Sequence, residues 1–155
     1  MAQAKRDAAT LRQHKSRDSS LRHILATRSW VQLKATFKIY KKKYSIQFDT
    51  DINSDIKWQW KWYTVAISAI YQYAMDSNTF FAKALIRDVF ECDRLYASPG
   101  YALGVARVFT WRAEMDLGGI TKAYKRIHWW TLVGDVKKVI IFEQDDINIL
   151  VGILQ

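Results

Sequence analysis

The sequence predicts an all-helical protein made of two tandem repeats, and three features support that fold class. Apolar residues recur at steps of three and four along most of the chain. One proline and six glycines punctuate it, which suits helices better than a sheet protein with many tight turns. Residues of one block also recur 84 positions later, which indicates two copies of one unit.

The clearest helical pattern begins at Trp30. Leu33, Phe37, Tyr40 and Tyr44 follow it at steps of three and four, so their side chains form one stripe along a helix. The bases around this stripe are Lys34, Lys38, Lys41 and Lys42.

Three later segments show the same spacing. Two read as amphipathic helices, with predicted apolar stripes of Trp62, Val65, Ala66, Ala69, Ile70 and Tyr73 in one and of Phe81, Ala84, Leu85, Val89 and Cys92 in the other. The last, with Ile147, Leu150, Val151 and Leu154, favours a helix, with a strand as the alternative because it is short and rich in β-branched residues.

Two breaks organise the chain. Asp76 to Thr79 resembles a linker with an N-cap, and Ala97 to Gly100 forms a second break. We therefore predict a basic first repeat over residues 1–76 and a second repeat over residues 77–155. Matched residues 84 positions apart support this division: Arg28 with Arg112, Leu33 with Leu117, Lys38 with Lys122, Tyr40 with Tyr124, and Lys41 with Lys125.

The charge is concentrated at one end of the chain. Residues 1–43 hold 12 of the 24 bases but only two of the 15 acids, so the net charge of +9 originates there. Such a segment attracts lipid headgroups, nucleic acid or an acidic protein. No apolar run reaches the roughly 18 residues of a membrane span, and the N-terminus is not signal-like, so we expect a cytoplasmic protein.

Catalytic motifs are not evident. The chain has no phosphate-cradling loop, nucleophile elbow or paired Cys and His spacing, and His14, His23 and His128 lie on separate elements. Its single cysteine, Cys92, lies in a helical pattern where a thiol usually packs as a small core residue. We therefore do not expect an enzyme.

The repeated blocks resemble annexins. Arg22 to Ser29 and the pair Tyr40–Lys41 match a family pattern of a helix end, Thr-Arg-Ser and a helix with a Tyr-Lys pair. The flanks from Asp7 to Gln13 and from Thr79 to Val89 are similar to the first helices of annexin repeats. The likeness, closest to the third and fourth repeats of plant annexins, implies two five-helix repeats in a curved half-array.

The resemblance also implies calcium-dependent binding to acidic phospholipid. In this family calcium is held by the loop between a repeat's first two helices together with a downstream carboxylate, and such oxygen ligands suit that ion. The second such loop, Ala97 to Ala102, keeps one glycine, Gly100. Glu143 is the candidate carboxylate, with Asp145 and Asp146 as alternatives, although acids at this place more often cap the last helix.

The first loop argues against calcium more strongly. His14 to Ser19 contains Lys15 and Arg17, whose charges repel a divalent cation. We therefore expect calcium binding that is weak or lost, and peripheral docking on acidic membranes that depends on basic residues. The candidate phospholipid-binding residues are Arg17, Lys41, Lys42, Lys43, Trp129 and Trp130.

Three alternatives remain open at this point. The two tryptophans, Trp129 and Trp130, also suit core packing, and the lysine run also suits a solvated helix face. The basic segment with exposed aromatics is compatible with a nucleic-acid-binding helical module, our second choice. A degenerate annexin paralogue could instead serve protein contacts, as a homo-oligomer or with an annexin partner.

Overall fold

The computed structural model describes residues 2–13, 19–55, 61–94, 99–129 and 131–139, and within them the chain forms helices and no strand. The predicted all-α fold class is confirmed. The helices, in chain order, are α1 (Ala2–Gln13), α2 (Ser19–Thr27), α3 (Trp30–Tyr44), α4 (Phe48–Asp55), α5 (Lys61–Met75), α6 (Ser77–Arg94), α7 (Pro99–Arg112), α8 (Leu117–Ile127) and α9 (Leu132–Val139).

The chain divides into two compact units, Met1–Ser77 and Asn78–Gln155, here called the first and second units. The boundary predicted from the sequence lies between residues 76 and 77. The first unit contains α1 to α5, and the described part of the second contains nearly all of α6, then α7 to α9. The C-terminal helix predicted around Ile147 lies outside the described residues.

The core of the first unit is built around α3. Its ends are well defined: the Ser29 hydroxyl accepts a hydrogen bond from the Gln32 backbone N–H, and Ser45 ends the helix in the left-handed conformation with a φ of 57°. Leu33, Phe37 and Tyr40 are buried, as their spacing predicts. The packed core residues include Leu11, Leu21, Ile24, Leu33, Phe37, Tyr40, Phe48, Ile52, Ile67 and Tyr71.

Aromatic rings fill the centre of this core. The ring of Phe37 lies 5.1 Å from that of Phe48 and 5.0 Å from that of Tyr71, centroid to centroid, in stacked and edge-on arrangements respectively. Such contacts add about 0.5–1.5 kcal/mol per pair to the burial of the rings themselves. The cluster joins α3, α4 and α5 into one unit.

The predicted apolar stripe of α5 faces the core only in part, since Ile70 packs against it. Trp62 is 86% exposed and Val65 is 52% exposed, whereas Ile67, Tyr71 and Ala74 face the core. Both sets have the spacing of a helix stripe, so this helix is apolar on two faces and its periodicity cannot choose between them. The contacts with α3 and α4 make that choice.

The second unit has a more aliphatic core. Its buried residues include Ala82, Leu85, Val105, Phe109, Leu117, Ile120, Tyr124, Leu132 and Val136. α6 already begins at Ser77, so only Asp76 separates it from α5, and α7 begins at Pro99, inside the second predicted break. A proline suits the first turn of a helix because its missing N–H has no partner there in any case.

None of the helices in the described ranges is long and apolar enough to cross a bilayer.

Candidate functional site

A cluster of three lysines ends α3. Lys41, Lys42 and Lys43 are all exposed, and the helix carries two further lysines and no acidic residue. Cations are favoured in the last turn of a helix because the helix dipole is negative there. The Lys43 ammonium group also lies 5.3 Å from the centre of the Tyr44 ring. The end of α3 is therefore a dense and accessible patch of positive charge.

A buried polar network supports this end of α3. Asp51 of α4 accepts hydrogen bonds from the Tyr40 hydroxyl and from the Arg12 guanidinium of α1. Arg12 also lies over the Tyr44 ring, 5.4 Å from its centre. Burial, and then the hydrogen bond to Asp51, raise the pKa of Tyr40 to about 12, so its hydroxyl keeps its proton. This network holds the ends of α1 and α3 against α4.

A second buried carboxylate connects α1 to the end of α2 through hydrogen bonds. Asp7 accepts hydrogen bonds from Arg28, at 2.9 Å from Nε and 3.2 Å from Nη2, and from Gln3 at 2.7 Å. Burial would raise the pKa of Asp7, but the hydrogen bonds from Arg28 and Gln3 and the charge of Arg28 outweigh it and lower that pKa. Asp7 is thus ionised, and its carboxylate oxygens are bound by Arg28 and Gln3.

The second unit repeats part of the first network. Tyr124 donates a hydrogen bond of 2.7 Å to Asp135, and these two residues lie 84 positions after Tyr40 and Asp51. Burial, and then the bond to Asp135, raise the pKa of Tyr124. The other partner differs: His128 Nδ1 lies 3.1 Å from Asp135.

Trp129 follows the end of α8 and is 93% exposed. The structure therefore does not place it in a core, which was the alternative role for this residue. Lys125 and Arg126, in the last turn of α8, are exposed as well. The end of α8 thus combines two cations with an indole that faces solvent.

Of the two predicted calcium residues, Gly100 lies within the described part of the chain and Glu143 does not. Gly100 lies in the first turn of α7, where a backbone carbonyl faces the N–H four residues later rather than an open loop. Glu143, Asp145 and Asp146 lie outside the described residues, as do Arg17 and Trp130. In the parts of the chain that are described, no group of three or more His, Cys, Asp or Glu side chains could hold a metal ion.

The buried carboxylates of the described residues do not fit a calcium site either. Asp7, Asp51 and Asp88 are each bound by an arginine, and Asp135 lies beside His128 and Tyr124. A metal would have to displace these internal donors. The sequence reasoning missed both tyrosine–aspartate pairs, although Asp51 and Asp135 obey the same 84-residue offset as the tyrosines.

Comparison with known proteins agrees with the resemblance seen in the sequence. Residues 4–58 match the family model described as Annexin, and no curated protein sequence matches the chain significantly. The fold is similar to that of apo-Annexin (Sm)1, with a TM-score of 0.79 and 23% identity. It is also similar to a mutant of annexin A8 with an intact N-terminus, with a TM-score of 0.72 and 20% identity.

Both structural matches cover 99% of this chain but only 41% and 46% of the two larger proteins. The chain therefore spans less than half the length of each. At these identities the likeness shows the fold, and the sequence match adds the family's pattern in the first repeat.

Proposed function

This is a protein of the annexin fold whose first repeat carries the annexin sequence pattern, and on that premise we propose that it docks peripherally on acidic phospholipid surfaces. Docking depends mainly on the basic first unit, and calcium contributes little. The role is one of binding, with no catalysis.

The exposed lysine cluster at the end of α3 is the observation that supports this role most directly. Lys41, Lys42 and Lys43 have no acidic neighbour on their helix. Each Lys or Arg near an anionic bilayer contributes about 1 kcal/mol of attraction, which falls off within a Debye length. Three adjacent cations are therefore sufficient for weak, salt-sensitive docking.

Trp129 is the candidate interfacial anchor of the second unit. Its exposed indole would be stabilised at the level of the headgroups, where an apolar ring and a polar N–H both find partners. Lys125 and Arg126 just before it would contact headgroup phosphates. Arg17 belongs to the basic first unit and Trp130 is next to Trp129 in the sequence. Their contributions to docking stay predictions.

Calcium should bind weakly. The first unit's loop is basic in sequence, and Asp51 of the same unit is already neutralised by Arg12. In the second unit only Gly100 and Glu143 correspond to the family's ligands, and one bidentate acid beside carbonyl groups leaves most of the ion's charge unbalanced. We expect an affinity in the weak, roughly millimolar class.

Vesicle co-sedimentation tests the docking function. The full chain should pellet with vesicles containing phosphatidylserine, not with neutral phosphatidylcholine, and the bound fraction should fall steeply as salt rises. Changing Lys41, Lys42 and Lys43 together to Gln should abolish most of the binding. A matched control changes Lys5, Lys83 and Lys122 to Gln, which removes the same charge from exposed positions elsewhere.

Two results would refute the function. Equal pelleting with neutral vesicles would show that acidic headgroups are not recognised. Equal losses in the two triple variants would show that net charge, rather than the end of α3, governs the interaction.

A second candidate function is binding to single-stranded nucleic acid. Trp30, at the start of α3, is 49% exposed and lies on the same helix as the lysines. An exposed aromatic ring with a row of cations is the combination that stacks bases and follows phosphates. A gel shift of single-stranded RNA that Lys41, Lys42 and Lys43 to Gln abolishes would support it, and no shift at low salt would exclude it.

A further inference from the structure

An open groove of about 580 Å³ runs between α1 and α2 of the first unit, away from the lysine cluster on α3. This volume is in the range of small-molecule sites, about 300–1,000 Å³. The groove is polar: Ile24 is the one apolar side chain among its lining residues. The positive groups are Arg6 on α1 and Arg28 just after α2, and the imidazole of His23 lies on the same walls.

One chain of hydrogen bonds fixes the two guanidinium groups. Arg6 Nη2 donates to Gln3 Oε1 at 2.7 Å, and Gln3 Nε2 donates to Asp7 Oδ1 at 2.7 Å. Asp7 in turn receives the fork of Arg28. These bonds use one or two of the five N–H donors on each arginine, so further donors are available to a ligand. The groove is preorganised rather than assembled on binding.

The charge of the groove favours an anion. Asp7 is the carboxylate in the lining, and its side chain is only 4% exposed, beneath an Arg28 side chain that is 29% exposed. A ligand therefore meets guanidinium groups before it meets the carboxylate. Planar guanidinium forks match the oxygens of phosphate better than a point charge does.

We propose that this groove binds a phosphate monoester, either as a free small molecule or as a lipid headgroup. A monoester carries close to two negative charges near neutral pH and offers three acceptor oxygens. It can therefore accept hydrogen bonds from Arg6 and Arg28 together, with the Thr10 and Ser20 hydroxyls on the groove walls close to the rest of the molecule.

The acid in the first helix of the second unit is placed differently. Asp88 of α6 is paired with Arg87 at 3.0 Å, and Arg112 donates from Nε to Asp116 at 2.7 Å. A Cβ atom on Gly104 would lie 2.6 Å from the Asp88 carboxylate, so that carboxylate lies directly against α7. Asp7 of α1 instead lies beneath Arg28 in the groove.

Amide NMR shifts of the full chain during titration with glycerol 3-phosphate test the site. We expect saturable shifts for Arg6, Thr10, Ser20 and His23 that glycerol and matched sodium chloride do not produce. Changing Arg6 to Gln should weaken binding about tenfold, the loss of one charge-assisted contact. Arg6 is exposed, so the fold should survive this change. Arg22 to Gln, on the same α2 but outside the groove, is the control and should bind normally.

Non-saturable shifts, or equal affinities of the Arg6 and Arg22 variants, would overturn the assignment. Competition between the ester and vesicles of phosphatidic acid identifies a lipid headgroup as the source, and no competition identifies the free ester. The variant with Lys41, Lys42 and Lys43 changed to Gln should keep its affinity for the ester while it loses vesicle docking. The failure of either function is therefore separable from the failure of the other.

Discussion

The two units keep the same tyrosine–aspartate hydrogen bond but surround it with different partners. In the first unit Asp51 is shared by Tyr40 and Arg12, and in the second Asp135 is shared by Tyr124 and His128. The tyrosine–carboxylate hydrogen bond between the third and fourth helices is thus common to both units. The carboxylate's other partner is what differs, and it comes from a different part of each unit.

A comparison of Tyr44 with His128 shows how the carboxylate's partner changes between the units. Tyr44 and His128 occupy corresponding positions, and their rings lie 4.9 and 5.6 Å from those of Tyr40 and Tyr124. A flat ring is retained at this position in both units. In the second unit this ring also carries the nitrogen that reaches the carboxylate, a role that an arginine from α1 has in the first.

The cores of the two units also differ in the side chains at equivalent positions. Phe48 of the first unit corresponds to Leu132 of the second, and Phe37 corresponds to Thr121. Phe48 and Leu132 are both fully buried, but Phe48 adds ring contacts with Phe37 and Tyr40 that a leucine cannot make. A shared backbone plan therefore accommodates two different ways of filling its centre.

The largest loss of stability should come from truncating the side chains at the equivalent core positions 48 and 132. Phe48 to Ala should destabilise the first unit by about 4 kcal/mol, and Leu132 to Ala should destabilise the second by about 3 kcal/mol, through lost transfer energy and cavity formation. Hydrogen exchange resolved by residue would report each unit separately. A loss below 1 kcal/mol at either position would mean that the core packing described for that unit is incorrect.

Removing the shared carboxylate should have the next largest effect. Asp51 to Ala leaves the buried Tyr40 hydroxyl and Arg12 without their acceptor, and we expect a loss of about 3 kcal/mol. Asp135 to Ala should lower the free energy of unfolding by about 2 kcal/mol, since the partner of Asp135 besides Tyr124 is an imidazole rather than a permanent cation. Urea unfolding of both variants gives the two values. A greater loss for Asp135 to Ala would contradict the importance assigned to Arg12.

Neighbouring glycines in α8 should respond in opposite directions. A Cβ on Gly118 meets no atom within 4 Å, so Gly118 to Ala should stabilise the second unit by about 1 kcal/mol. A Cβ on Gly119 would lie 2.4 Å from Asn78 Nδ2, so Gly119 to Ala must displace that side chain and should not stabilise. Thermal unfolding distinguishes them, and equal gains would show that Asn78 moves freely.

Acidification should weaken the first unit through Asp7. Its pKa in the folded chain lies below the ordinary 3.8, so the stabilisation is fully present above that value and is lost as the pH falls through the folded pKa. Asp7 to Asn lacks this ionisation, so its stability should fall less steeply between about pH 5 and pH 2. Unfolding curves across that interval test the effect, and parallel pH dependences would contradict it.

Local periodicity predicted α3 with its buried stripe, and it predicted helices in the segments that form α5 and α6. On α5 it predicted the packing of Ile70 but not the exposure of Trp62, because Trp62 and Ile67 belong to competing apolar faces and only tertiary contacts distinguish them. The candidate docking surface was predictable in part: Lys41 to Lys43 are exposed, as a charged run suggests. The Asp51 and Asp7 networks were not predicted, because their partners lie 39 and 21 residues away along the chain.

If docking depends on the first unit's lysines rather than on a bound ion, vesicle binding should be nearly independent of calcium. Affinity for phosphatidylserine vesicles should change by less than about twofold between 1 mM calcium and a chelator, as expected for roughly millimolar sites. Calorimetric titration with calcium should find no micromolar binding. Vesicle binding that requires micromolar calcium, and that disappears on changing Glu143 to Gln, would contradict docking through the lysines.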